Sequence, residues 1–184
     1  DSFELELLAK NGTDLHSYQP STADIVKIAS SDLFIYVGGE SDFWVSQVIK
    51  NSNNKNQFTV NLMEILAQNV KEEENVEGMQ SNKENDGHED EIEYDEHVWL
   101  SVKNAKTAVI KIAEYLEVLD LANSSVYAKN LQNYLKKLDS LSEIALELSK
   151  KNDFSSKPLI FCDRFPFRYM TDELGAKYFA AFFP

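Results

Sequence analysis

Asp32-Leu33-Phe34-Ile35-Tyr36-Val37-Gly38-Gly39 is a continuous apolar run closed by two glycines. It is short enough for a strand, and its lack of alternation is what a strand covered on both faces requires. Upstream, Pro20-Ser21-Thr22-Ala23-Asp24 carries a helix-start signature. Ser21 can accept free backbone N–H groups and Asp24 stands three residues on, so a helix is expected through about Ser30. Downstream, Trp44, Val45, Val48 and Ile49 fall at helical spacing, and Gln57 to Leu62 reads as the next strand. Phe3 to Leu8 alternates and then runs apolar, which predicts a further strand ending at Asn11-Gly12. The resulting order, β-α-β-α-β with connections long enough for crossovers, predicts an α/β unit with a mainly parallel sheet covered by helices.

The second half extends this pattern. Ala105, Ala108, Val109, Ile112, Ala113 and Leu116 mark one amphipathic helix. Tyr127, Leu131, Tyr134, Leu138, Leu141, Ala145 and Leu148 mark another, of roughly 25 residues and about 40 Å, enough to cross a whole domain. Pro158 to Cys162 returns to strand, Phe165 to Leu174 reads as helix and Tyr178 to Phe183 as strand, so a second α/β unit begins here. No internal repeat and no Gly-rich or Pro-rich linker separates the two, which leaves the long helix as the connector. The expected organisation is an N-terminal α/β lobe over residues 1–122, the connecting helix over 123–152 and the start of a second lobe over 153–184.

Composition restricts the function. The net charge of −13 over 184 residues argues against nucleic acid as a partner, because neutralising phosphate needs clustered Lys and Arg. The charge is local: Lys71 to Glu96 holds 12 acids and 2 bases, so an anionic loop sits on a nearly neutral body. Poor in large apolar residues, Lys71 to Glu93 should be solvated and mobile. Cys162, the only cysteine, lies in an apolar run and reads as a small buried core residue. No stretch approaches the roughly 18 uncharged apolar residues of a membrane span, and Asp1-Ser2-Phe3-Glu4 does not resemble a leader. A soluble piece of a longer protein, shorn of both ends, is expected.

The histidines are His16, His88 and His97. His16 is expected between a strand and a helix, at the sheet edge where open α/β folds place ligands. His97 stands in Tyr94-Asp95-Glu96-His97-Val98-Trp99-Leu100-Ser101, between the acidic loop and a helix start. Either can bind a divalent cation through a neutral imidazole. Spacing alone favours surface or capping roles for both.

The flanking residues carry a resemblance. Leu15-His16-Ser17-Tyr18-Gln19-Pro20-Ser21 resembles the H-x-Y-x-P-[ST] segment of the zinc and manganese substrate-binding proteins of ABC importers, the cluster A-I family. Asp95 to Ser101 is similar to that family's D-P-H-x-W-L-[SD] segment, and Asp32 to Glu40 resembles its strand and glycine turn. The matches fall in the family's order, the acidic insertion lies where zinc-specific members carry a His- and acid-rich loop, and the long helix agrees.

The resemblance implies a two-lobed substrate-binding protein with mainly parallel sheets and a long connecting helix, the second lobe truncated. It also implies a metal held by His16, His97 and two ligands of the second lobe. Where the family carries its third histidine, in S-H-x-x-[FL]-x-Y, this chain has Asp163-Arg164-Phe165-Pro166-Phe167-Arg168-Tyr169. Arg164 has no lone pair to give, so Asp163 is the candidate third ligand, set against an ion pair with Arg164 or Arg168 or a helix cap. Zn2+ is the first expectation and Mn2+, which favours oxygen, the alternative. Glu40 and Trp44 match the cleft-side turn, with Trp44 expected in the core and Trp99 packed beside His97. Glu96, in place of the family's proline, is expected to accept an imidazole N–H. His88, among Glu89, Asp90 and Glu91, could gather cations loosely.

The implied protein is an extracytoplasmic receptor, expected as a monomer, that delivers its ion to an ABC permease and is held to the membrane by a lipid outside this chain. A metal-binding adhesion or interaction protein of the same architecture is the alternative. A metal-dependent hydrolase is a third reading. The sequence has no H-E-x-x-H, G-x-S-x-G, P-loop or dinucleotide-binding glycines, so no enzyme is expected.

Overall fold

Thr22–Ser30 form helix α1, started by a reciprocal cap in which Ser21 Oγ accepts the Asp24 N–H at 3.2 Å and Asp24 Oδ2 accepts the Ser21 N–H at 3.0 Å. The computed structural model describes residues 3–9, 13, 15–52, 54–74, 76, 79, 92–154 and 156–182. Strand β1, Leu33–Tyr36, follows α1 and pairs in parallel with β2, Phe58–Asn61, with Leu33 opposite Phe58 and Tyr36 opposite Asn61. The short helix α2, Val45–Lys50, lies between them in sequence, and a single helical turn α3, Leu62–Ile65, leaves β2 directly. Ile28, Phe34, Val45 and Val48 form the core of this unit, with Leu8, Tyr36, Trp44 and Ile49 packed against it. Burying each large side chain contributes about 1.5–3 kcal/mol.

Two expectations fail in this unit. Phe3 to Leu8 is no strand: Leu5 is 94% and Leu7 73% exposed, and the described residues of this sheet form two strands only. The segment is held by side chains instead, Phe3 against the Tyr127 ring with centroids 5.6 Å apart and Glu6 paired with Lys27. Alternation describes a face, whereas a strand also needs a neighbour whose N–H and C=O groups complete its ladder. Nor is β1 buried on both faces: Phe34 is enclosed while Ile35 remains exposed.

Val102–Leu119 form α4 and Ser124–Lys151 form α5, packed against one another across the turn Leu121–Asn123. At 28 residues, α5 runs about 42 Å. Strand β3, Leu159–Arg164, helix α6, Arg168–Glu173, and strand β4, Tyr178–Phe182, make a second parallel pair with Leu159 opposite Tyr178. Cys162 is exposed rather than buried. Strand alternation places it on the face of Ile160, which is also exposed, and opposite the face on which Phe161 meets Phe165 and Tyr178.

A second core joins distant parts of the chain. Leu66, Val98 and Tyr169 are buried together, with Leu62, Met63, Ile65, Val70 and Trp99 around them. The base of the acidic segment is clasped beside it by an antiparallel bridge between Glu72 and Tyr94, by the Glu73 N–H to Glu93 O bond of 2.8 Å and by the Asp95 N–H to Lys71 O bond of 2.9 Å. The mobility expected of the loop and the cation-gathering role of His88 fall on residues outside those described. Among the described residues, no helix is long and apolar enough to cross a membrane.

Candidate metal centre

Two glycines set up the site. Gly38 and Gly39, at φ 87° and 86°, turn the chain out of β1 in a conformation that L side chains rarely adopt. A Cβ on Gly39 would stand 2.4 Å from Glu96 Oε1, so glycine is also what lets the two segments meet. The Asp42 carboxylate accepts the Gly38 N–H at 2.9 Å and Glu96 Oε1 accepts the Ser41 N–H at 2.9 Å. Ser41 Oγ then lies 3.2 Å from His16 Nδ1. His16 itself sits on the turn Leu15–Ser17, just ahead of the cap of α1, and its side chain is exposed.

His97 is set from the other side. It is 8% exposed, opens the turn Val98–Leu100 and packs its ring against Trp99. Asp95 Oδ1 accepts the His97 backbone N–H at 2.8 Å and lies 3.0 Å from His97 Nδ1. A carboxylate can only accept, so Nδ1 of the neutral ring carries the proton and Nε2 keeps its lone pair. The His16 and His97 ring centroids lie 5.3 Å apart with planes inclined by 48°. An ion bound to both at Zn–N distances near 2.0–2.1 Å with a tetrahedral angle would hold the centroids about 5.2 Å apart, so the spacing of the two rings matches that of a pair sharing one zinc-sized cation.

The surroundings are anionic. Burial first, then Glu93, Asp95 and Glu40, push the Glu73 carboxyl up to about 7. Burial and the neighbouring Glu96 raise Asp42, against the hydrogen bond from Gly38. Such a concentration of negative charge favours a nearby cation. Tyr169 lies behind Asp95: its OH donates to Asp95 O at 2.7 Å and accepts the Lys71 N–H at 3.1 Å, and burial pushes its phenol up to about 12, so it remains a donor.

Of the three residues expected at the metal, the structure brings His16 and His97 together and not Asp163. Asp163 is exposed near the end of β3, with Oδ1 accepting the Arg164 N–H at 2.8 Å, and among the described residues no three His, Cys, Asp or Glu gather into a group able to hold a metal. Arg168 approaches Glu74 instead, at 3.5 Å. Glu96 is engaged by Ser41, and Asp95, not Glu96, meets the imidazole. The signal for Asp95 was local: an Asp two residues before His97 can close an Asx turn onto its N–H. Trp44 packs on the first core and Trp99 on the second, beside His97, in the packing roles expected of them.

Parallel α/β pairs on either side of a 28-residue helix, with two imidazole rings 5.3 Å apart, are the architecture expected of a two-lobed substrate-binding protein. The chain belongs to the family described as zinc-uptake complex component A, periplasmic (ZnuA), whose sequence profile matches residues 1–183. It is 29% identical over 168 residues to the zinc-binding protein AdcA of Streptococcus pyogenes serotype M3, covering 86% of this chain and 32% of that protein. It is 28% identical over 189 residues to the manganese ABC transporter substrate-binding lipoprotein PsaA of Streptococcus anginosus, covering 95% of this chain and 53% of that protein. The crystal structure of Zn(II)-bound AdcA from Streptococcus pneumoniae superposes with a TM-score of 0.73 at 26% identity, over 96% of this chain and 34% of that one. The metal-dependent lipoprotein YcdH of Bacillus subtilis gives 0.76 at 25% identity, over 96% and 58%. The chain therefore spans about a third to about half the length of these curated relatives.

Proposed function

We propose that this protein captures a divalent metal ion outside the cytoplasm, zinc in the first place and manganese as the alternative, and delivers it to the permease of an ABC importer. The observation that carries the reading is the His16–His97 pair at 5.3 Å, with His97 already turned by Asp95 to offer Nε2. Membership of a zinc-uptake family and likeness to relatives named for zinc and for manganese support it. The ion is cargo, and the reading assigns no enzymatic step.

In this reading residues 1–122 form the lobe that carries both histidines, 123–152 the connecting helix and 153–184 the beginning of the second lobe. Asp163 supplies an oxygen ligand once movement of the second lobe brings the end of β3 to the histidines. The receptor acts as a monomer held at the membrane by a lipid outside this chain.

Zinc and manganese titrations of the full-length protein, by calorimetry or chelator competition, test this against His16→Ala, His97→Ala and Asp163→Ala. Each histidine variant should lose more affinity than the roughly 10–100-fold that changes behind a ligand cost. Stoichiometric binding of undiminished strength in the double histidine variant would overturn the reading. Unchanged binding in Asp163→Ala would remove Asp163 alone.

A further inference from the structure

Nothing in the proposed ligand set explains why a phenol from α6 is buried beneath the loop that carries His97. Tyr169 is 2% exposed, and its ring packs with Leu66 and Val98. Its hydroxyl is fully used on the other side of the acidic segment, donating to Asp95 O at 2.7 Å and accepting the Lys71 N–H at 3.1 Å. Asp95 in turn holds both the backbone and the ring of His97 through one carboxylate oxygen. The path from α6 to the imidazole thus has two steps, each a hydrogen bond between groups nine-tenths or more buried. Two further contacts tie α6 to the same region: Asp172 pairs with Lys71, and the Glu173 carboxylate accepts from Ser101 Oγ and from the Val102 and Lys103 N–H groups at the start of α4. Helix α6 therefore grips both ends of the segment that runs from the loop base through His97 to α4.

We infer that Tyr169 is a positioning residue for the metal site: by fixing the Asp95 backbone it fixes the carboxylate that sets the tautomer and orientation of His97, and so makes the ligand sensitive to where α6 stands. The inference rests on His97 being a metal ligand. A buried hydrogen bond behind a ligating imidazole acts by keeping the lone pair aimed, and its loss is felt in affinity. The phenol also gives the chain from 168 to 173 a direct hold on a residue more than seventy positions earlier, so displacement of α6 would reach His97 without any contact to the ion.

The test is Tyr169→Phe in the full-length protein, which keeps the ring in its core and removes only the hydroxyl. Two readouts are needed. Imidazole 15N spectra of the metal-free protein at about pH 8, where histidine is neutral, report the tautomer. The expected result is the Nδ1–H form for His97 in the parent and a mixture of both forms in the variant. Zinc affinity by chelator competition should fall roughly tenfold. An unchanged His97 tautomer, with or without lost affinity, would overturn the inference, because a purely structural role for Tyr169 predicts that pattern. A changed tautomer at unchanged affinity overturns it as well. His97→Ala, run in parallel, separates the two claims: if it too leaves zinc binding intact, it is the site assignment that falls.

Discussion

At the scale of single residues the site depends on one carboxylate. Asp95, 3% exposed, spends Oδ1 on the backbone N–H and the ring of His97, and each of these bonds holds only while that oxygen is an acceptor. Asp95→Asn keeps the shape and can present an N–H in its place, which repels the Nδ1–H form. Zinc affinity is expected to fall roughly 10–100-fold, while the urea midpoint of the metal-free protein moves much less than it would on loss of a core side chain. A chelator-competition assay showing parent-like affinity would remove Asp95 from the site. Glu96 shows how neighbours divide labour. Its Oε1 meets the Ser41 N–H and so ties the His97 segment to the turn beside His16.

At the scale of elements, helix termini do much of the positioning. Ser101 caps α4 by accepting the Asn104 N–H at 3.0 Å, and Glu173 completes that end from α6 by accepting from Val102 and Lys103 at 3.1 and 3.2 Å. An anion at a helix N-terminus is favoured both by the free N–H groups and by the dipole. Glu173→Ala should therefore destabilise the protein by about 1–2 kcal/mol, read as a lower denaturation midpoint. A midpoint unchanged within error would mean that water replaces the carboxylate at no cost. The cap of α1 was legible in Ser21 and Asp24 because a capping box is a local arrangement within four residues. The partner of α4 was not, since Glu173 stands some seventy residues away and no spacing rule connects the two.

At the scale of the molecule, charge sets how stability varies with pH, and the proposed ion would add to it. Glu73 is pushed from its ordinary 4.5 up to about 7 by burial, by Glu93 and Asp95 of the segment bridged across from it and by Glu40 of the glycine turn. Below about pH 4.5 it is protonated folded or unfolded and costs nothing. As pH rises towards 7 the unfolded chain ionises first, so stability is withdrawn, and above that range the loss is complete. Glu73→Gln is accordingly expected to flatten the pH dependence of the metal-free protein and to be the more stable form at pH 8, as urea melts at about pH 5 and pH 8 would show. A parent whose stability does not fall across that interval would contradict the burial argument. Bound metal should act in the opposite sense. Zinc at about a hundred times its dissociation constant should stabilise the native state by about 2.7 kcal/mol, and His97→Ala should abolish that gain in a thermal melt.

The sequence alone determined what is periodic or local. The apolar run of β1, the glycines that end it, the cap of α1, the stripes of α4 and α5, and the segments around His16 and His97 could all be read because each signal fits within one element or turn. Tertiary structure decided what depends on a partner. Phe3 to Leu8 found no ladder and is not a strand, and Cys162 lies on an uncovered face. Asp95 rather than Glu96 meets the imidazole, and Tyr169 reaches the loop base from α6. Burial, hydrogen-bond partner and ring-to-ring distance are properties of two surfaces brought together, and a linear pattern specifies only one of them.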